Sequence, residues 1–325
     1  MRRCAPPTDR PALAATLLAV IVVTLASLPG AGSARTRVVV TIPPQAFFVE
    51  RIGGDLVEVD VLVGPGQSPH SYEATPKQMA RLVEADVYFT TGMPFEDALI
   101  ERIHKLASDI EIVATDYPVP KRRMTLSEFE HGEHHLHDEH HEQNAESQDD
   151  PSAPATHDGG RPDPHVWMDP GLVKIQARVI APALIRANPD HEQAYLDNLE
   201  AFLEELDALD ARIADTLSEL HGTRLYVFHP AFGYFADAYG LVQVPVETGG
   251  KEPSARRIAQ LIERAREDGA RMIFVQPQFS TLAAEAIAEA IGGAVVPIDP
   301  LARDYVANLE RIADVVRKSL EGSRR

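Results

Sequence analysis

Residues 191–221 read HEQAYLDNLEAFLEELDALDARIADTLSELH and contain neither glycine nor proline. Tyr195, Leu199, Phe202, Leu206, Leu209, Ile213, Leu217 and Leu220 recur at spacings of three and four, which puts them in one apolar stripe along a helix. At 1.5 Å per residue the stretch predicts a helix roughly 45 Å long, more than one domain needs. It reads as a rigid strut running along two lobes. A coiled-coil segment is the competing reading, but so few heptads with charged flanks do not demand a partner.

On either side of the strut the pattern changes to short apolar runs alternating with amphipathic ones. Before it, strands are expected at 38–42, 57–63, 87–89 and 110–113, with helices at 45–52, 76–83 and 95–106. After it, strands at 225–228, 242–246, 272–275 and 295–298 alternate with helices at 232–238, 254–267 and 282–291, and a last helix spans 303–320. Strands alternating with helices predict parallel sheets covered by helices. The expected fold is therefore α/β: two lobes, each with a mostly parallel sheet flanked by helices, joined by one long rigid helix. The lobes are expected at 35–190 and 222–325, with the link at 191–221.

Composition removes whole classes of function. The chain has 325 residues and a net charge of −18, which argues against nucleic acid and anionic membrane surfaces and suits a cationic ligand. Its one cysteine, Cys4, excludes a disulfide scaffold or a cysteine metal site, whereas histidine occurs 13 times. Arg2 and Arg3, an apolar run over 12–28 and the small residues 31–34 read as a signal peptide covering 1–34, cleaved near Ala34. An uncleaved membrane anchor is the alternative. The mature chain is then exported, not embedded in the membrane, and free of cysteine.

Residues 124–163 break the α/β pattern. Acidic residues alternate with His131, His134, His135, His137, His140, His141 and His157, with almost nothing apolar. Such a segment has too little to bury to offset its ordering entropy, so a disordered loop is expected. Its histidines read as weak auxiliary metal binders, or as a solvated linker.

Four other positions carry more chemistry: His70 in GPGQSPHSYEATP, His165 in DPHVWMDP, His229 at the end of LYVFH, and Asp299 in VVPIDPL. Three of the four follow directly on a strand, and ligands of open parallel sheets bind beyond the strands' carboxyl ends. Imidazoles and a carboxylate without thiolate suit zinc and its transition-metal neighbours, and three histidines with one carboxylate suit a closed tetrahedral zinc site. A histidine beside proline also reads as a cap and Asp299 before Pro300 as a turn initiator, so the residues alone leave both readings open. Glu96 and Glu247 are candidates for orienting an imidazole N–H, or are solvated glutamates. Trp167, the one tryptophan, reads as core or as a reporter beside the site.

The strings GPGQSPHSYEATPKQMARLVEADVYFTTG, DPHVWMDP, FHPAFGYFADAYGL, EPSARRIAQLIE and VQPQFS followed by VVPIDPL resemble the solute-binding proteins of zinc and manganese ABC importers, and among these the periplasmic ZnuA-type zinc-binding members. The resemblance spans nearly all of 36–320. It implies two α/β lobes joined by a long helix, with zinc in the cleft held by His70 and His165 from the first lobe and His229 and Asp299 from the second. It implies partners too: an ABC permease with its cytoplasmic ATPase. Histidine rather than glutamate at position 229 marks the zinc members. Pro69 departs from the acidic residue that some of them carry before the first histidine, and the disulfide of some cannot form here. The expected function is a monomeric, non-enzymatic zinc-binding component of an importer. The alternatives are a manganese or iron member of the same family, a secreted zinc buffer, or a zinc hydrolase; against the last, HExxH is missing and four protein ligands leave no position for water.

Overall fold

The computed structural model describes residues 1, 35–106, 109–124, 162–247 and 252–321. The expected signal peptide and the seven histidines of the acidic segment lie outside the described residues. Among the described residues no helix is long and apolar enough to cross a membrane.

The residues 35–321 carry two four-stranded sheets, all parallel. The first contains β1 (Thr36–Val40), β2 (Val57–Val61), β3 (Val87–Thr90) and β4 (Glu111–Ala114) in the order β2-β1-β3-β4. The second contains β5 (Arg224–Val227), β6 (Val242–Pro245), β7 (Met272–Val275) and β8 (Ala294–Pro297) in the order β6-β5-β7-β8. The same winding is thus used twice. The central strands are apolar on both faces, as a sheet covered on both sides requires: Val87, Tyr88, Phe89, Leu225, Tyr226 and Val227 are all buried.

The connecting helices are α1 (Pro43–Gly53), α2 (Pro76–Glu84) and α3 (Phe95–Leu106) in the first half. In the second they are α6 (Gly233–Ala238), α7 (Ala255–Glu267) and α8 (Leu282–Ala290), with α9 (Tyr305–Glu321) at the end. Between the halves stand α4 (Pro170–Ala187) and the strut, α5 (Glu192–Leu217). The strut buries Tyr195, Phe202, Leu206, Leu209, Ile213 and Leu217 of the predicted stripe, while Leu199 is half-buried and Leu220 is buried just beyond the helix. It is shorter than the expected 191–221, about 39 Å for its 26 residues, because 3-10 turns at Pro189–His191 and Ser218–Leu220 take over its ends.

The strut packs on α1 and α4 from the first half and on α9 from the second. An aromatic knot fastens these together: Phe202 lies 6.1 Å from Phe47 and 5.9 Å from Phe48, and Tyr305 meets Phe48 edge-on at 4.9 Å. Helix α4 was not among the expected elements. Its stripe of Val173, Ala177, Ile180, Ala181 and Leu184 is buried, while Pro182 sits on the exposed face, where the missing N–H faces solvent.

The expected loop 124–163 also ends earlier than read. Arg123 and Pro162 pair antiparallel, and Asp163 is fully buried.

Candidate metal centre

His70, His165 and His229 come from three separate loops. After β2, residues 62–75 leave the sheet and are bracketed by α2: Thr75 and Gln78 form a capping box, and Gln78 Nε2 donates to the Leu62 carbonyl at 2.7 Å. Within that bracket Ser68 caps a short turn, Pro69–Ser71, through the His70 amide. His229 lies two residues beyond the end of β5, after Phe228. Gln276, beyond β7, accepts from the His229 amide at 3.0 Å and donates to the His229 carbonyl at 3.0 Å, so the imidazole leaves the sheet at the point where strand order reverses. His165 lies in the segment leading from the acidic stretch to α4, ahead of the 3-10 turn Val166–Met168.

The structure brings these three together. Nε2 of His70 lies 3.1 Å from Nε2 of His229 and 3.4 Å from that of His165, and the His165 and His229 Nε2 atoms are 3.2 Å apart. The far side of two rings is fixed. His165 Nδ1 faces Asp163 Oδ1 at 2.7 Å, and His229 Nδ1 faces Glu247 Oε1 at 2.5 Å. A carboxylate accepts, so both Nδ1 atoms carry the proton and both Nε2 atoms present lone pairs to the common centre. Lone pairs converging in a buried place call for a cation. Around them is a cavity of about 20 Å³, room for one water-sized guest, lined by the three histidines with Met93, Trp167 and Phe279 among others.

The electrostatics favour neutral rings at His70 and His229. Burial, then the neighbouring His229 and His165, push His70 well below the ordinary 6.5. Burial also lowers His229, against the pull of its Glu247 hydrogen bond. Asp163 is pushed up by burial, but the His165 ring, its hydrogen bonds and Arg122 outweigh that and hold it below the ordinary value.

Asp299 is not part of the cluster. Its Oδ1 accepts from Gln278 Nε2 and from the Leu301 amide, both at 2.9 Å, and the next two residues, Pro300 and Leu301, line the cavity. Glu96 touches no imidazole, a correction to its expected role. It is buried and its carboxylate accepts from the amides of Thr91, Gly92 and Met93 at 2.8–3.3 Å and from the Thr41 hydroxyl. It therefore shapes the turn that delivers Met93 to the cavity. Gly92 in that turn has φ +81°, and an added Cβ would collide with Asp116. Trp167 is buried beside His165, ring centroids 5.3 Å apart, and its Nε1 donates to the Pro300 carbonyl at 2.8 Å.

Asp163, Gln276 and Gln278 were missed from sequence. Asp163 had a readable signal, a carboxylate two residues before a histidine across a proline; for the glutamines there was none.

Comparison with known proteins agrees with this geometry. Residues 38–319 match the family described as zinc-uptake complex component A, periplasmic (ZnuA). The high-affinity zinc uptake system protein ZnuA of Paracoccus denitrificans is 31% identical over 248 residues, covering 73% of this chain and 75% of that one. A crystal structure of ZnuA superposes with a TM-score of 0.75 at 36% identity, covering 88% of this chain and 99% of that one. A ZnuA deletion mutant with zinc bound superposes at 0.74, again 36% identical, over 88% of this chain and 98% of that one.

Proposed function

The chain belongs to the ZnuA family of periplasmic zinc-uptake components, and from that premise we infer that it captures Zn²⁺ outside the cytoplasm and delivers it to an ABC permease driven by a cytoplasmic ATPase. It is a solute-binding protein and not an enzyme: the zinc is cargo. His70, His165 and His229 are the ligands in this reading, and Asp299 supplies the fourth through Oδ2, its Oδ1 being held by Gln278 and Leu301.

One observation carries the reading. A tetrahedral zinc with nitrogen ligands at about 2.0–2.1 Å separates its donor atoms by about 3.3–3.4 Å, and the three Nε2 atoms stand 3.1–3.4 Å apart. A third imidazole in place of a second carboxylate favours zinc over the harder manganese.

The parts around the site follow from this. Residues 1–34 direct export and are removed, and the mature chain works as a monomer. Residues 35–190 and 222–325 act as lobes on the 191–221 link, and the permease releases zinc by parting them, since a metal shared between lobes favours one arrangement only by its difference in affinity. His131, His134, His135, His137, His140, His141 and His157 gather zinc weakly near the cleft.

The test is metal competition on the chain with 127–160 deleted, offering Zn²⁺ and Mn²⁺ together, and again with His229→Ala. One tightly held zinc, lost to the substitution, is expected. Loss of tight binding on deleting 127–160 alone would refute the assignment and make the chain a zinc buffer.

A further inference from the structure

We propose that Arg122 is a positioning residue for metal capture: acting through Asp163, it ties the orientation of the His165 ring to the contact between the two halves of the molecule. The proposal rests on His165 being a zinc ligand.

Asp163 is fully buried and held at both ends. Oδ1 accepts from His165 Nδ1 at 2.7 Å and from the His165 amide at 3.0 Å, and Oδ2 accepts from Arg122 Nη1 at 2.7 Å. A carboxylate gripped at one oxygen can swing about its side chain; gripped at both, it cannot, and the imidazole it orients is fixed with it. The guanidinium is planar and forked, and its other arm reaches the second half: Nε donates to Asp237 Oδ2 on α6 at 2.9 Å. From the same helix the Tyr234 hydroxyl accepts from the Arg122 amide at 3.0 Å and donates to the Asp163 carbonyl at 2.9 Å.

Position 233 shows that the cradle is built for this group. A Cβ on Gly233 would collide with the Arg122 guanidinium and stand 2.8 Å from Asp163 Oδ2. Glycine at the start of α6 is what lets the fork pass between the halves. His165 therefore points at the cluster only while α6 sits against Arg122, and separating the halves disorients a ligand as well as removing one.

The experiment measures Zn²⁺ loss to a chelator from the full mature chain: wild type, Arg122→Gln and Gly233→Ala, each also in a His165→Ala background, with metal-free melting temperatures alongside. Gly233→Ala displaces the guanidinium with Arg122 still present, so it carries the test if Arg122→Gln fails to fold. Both single variants are expected to lose zinc about 10–100-fold faster, the usual cost of a lost group behind a ligand. In the His165→Ala background the same changes should matter less than about threefold, since a group acting through His165 has nothing left to act on. Unchanged zinc loss in both single variants overturns the proposal while leaving the three-histidine site standing. An equal factor with and without His165 also overturns it, assigning Arg122 to lobe packing. If His165→Ala itself leaves zinc retention untouched, the ligand assignment falls, and the proposal with it.

Discussion

Lowering the pH of the metal-free protein tests the central claim that the cluster is built of neutral imidazoles. His229 is 6% exposed, and burial outweighs its Glu247 hydrogen bond to keep it below the ordinary 6.5. In the unfolded chain the same ring takes up a proton near 6.5. The stability it contributes is thus present above pH 6.5 and is lost as pH falls below it, because the unfolded state then binds more protons than the folded one. Each pH unit below that point would cost about 1.4 kcal/mol for a ring that stayed neutral throughout, which sets a ceiling of about 2 kcal/mol on the loss between pH 7.5 and 5.0. His70 shifts in the same direction, but both proteins keep it, so the comparison reads the His229 contribution. The assay is urea denaturation with chelator present, at pH 7.5 and 5.0, comparing wild type with His229→Gln. The variant has no ring to titrate at 229, so its stability should fall less over the same interval, by a difference of no more than about 2 kcal/mol. Equal falls would mean that His229 titrates alike in both states, and the argument for a preorganised neutral cluster would fail.

Three further outcomes are expected. Burial pushes Glu96 up to about 7 against its hydrogen bonds, so its contribution is full below the ordinary 4.5 and disappears as pH rises through 7; Glu96→Gln should lack that loss, worth about 3 kcal/mol between pH 4.5 and 8, in denaturation curves taken at both ends. Trp167→Phe removes the Nε1 bond to the Pro300 carbonyl and strands a buried acceptor, costing about 2 kcal/mol; calorimetry should show Tm lower by roughly 4–8 °C, and an unchanged Tm would remove Trp167 as a tie between the halves. Gln276→Leu strips partners from both the His229 amide and carbonyl, so stability should drop by about 2–4 kcal/mol, and titration should show weaker zinc binding; full zinc affinity would mean that the β5 end holds His229 without help.

Periodicity made most of the fold legible. The α5 stripe and the strands on both sides of it depend on local alternation, which survives folding unchanged. Helix α4 was not read from sequence at all, and it runs on through Pro182 because that residue lies on its exposed face. Three ligand candidates were visible because each histidine lies beyond a strand or beside a proline in a recognisable motif. Glu247 and Glu96 looked alike in sequence, yet one meets His229 and the other a turn of backbone amides. What separates them is which loop each β-strand end faces, a property of packing that carries no local mark. Gln276 and Gln278 were hidden for the same reason, as an amide side chain becomes informative only once its partners are known.

The rung between Arg123 and Pro162, reinforced by the Asp163 amide donating to the Arg122 carbonyl at 3.0 Å, makes the intervening stretch an appendix to the polypeptide rather than a link in it. The chain departs and returns through one doorway, and the two residues just inside that doorway, Arg122 and Asp163, are already locked to each other. Doubling the length of such an excursion costs only about 0.6 kcal/mol in closure entropy. Chain inserted there need not disturb His165, and a protein engineer could splice a fluorescent reporter into the same doorway and leave the cluster where it is.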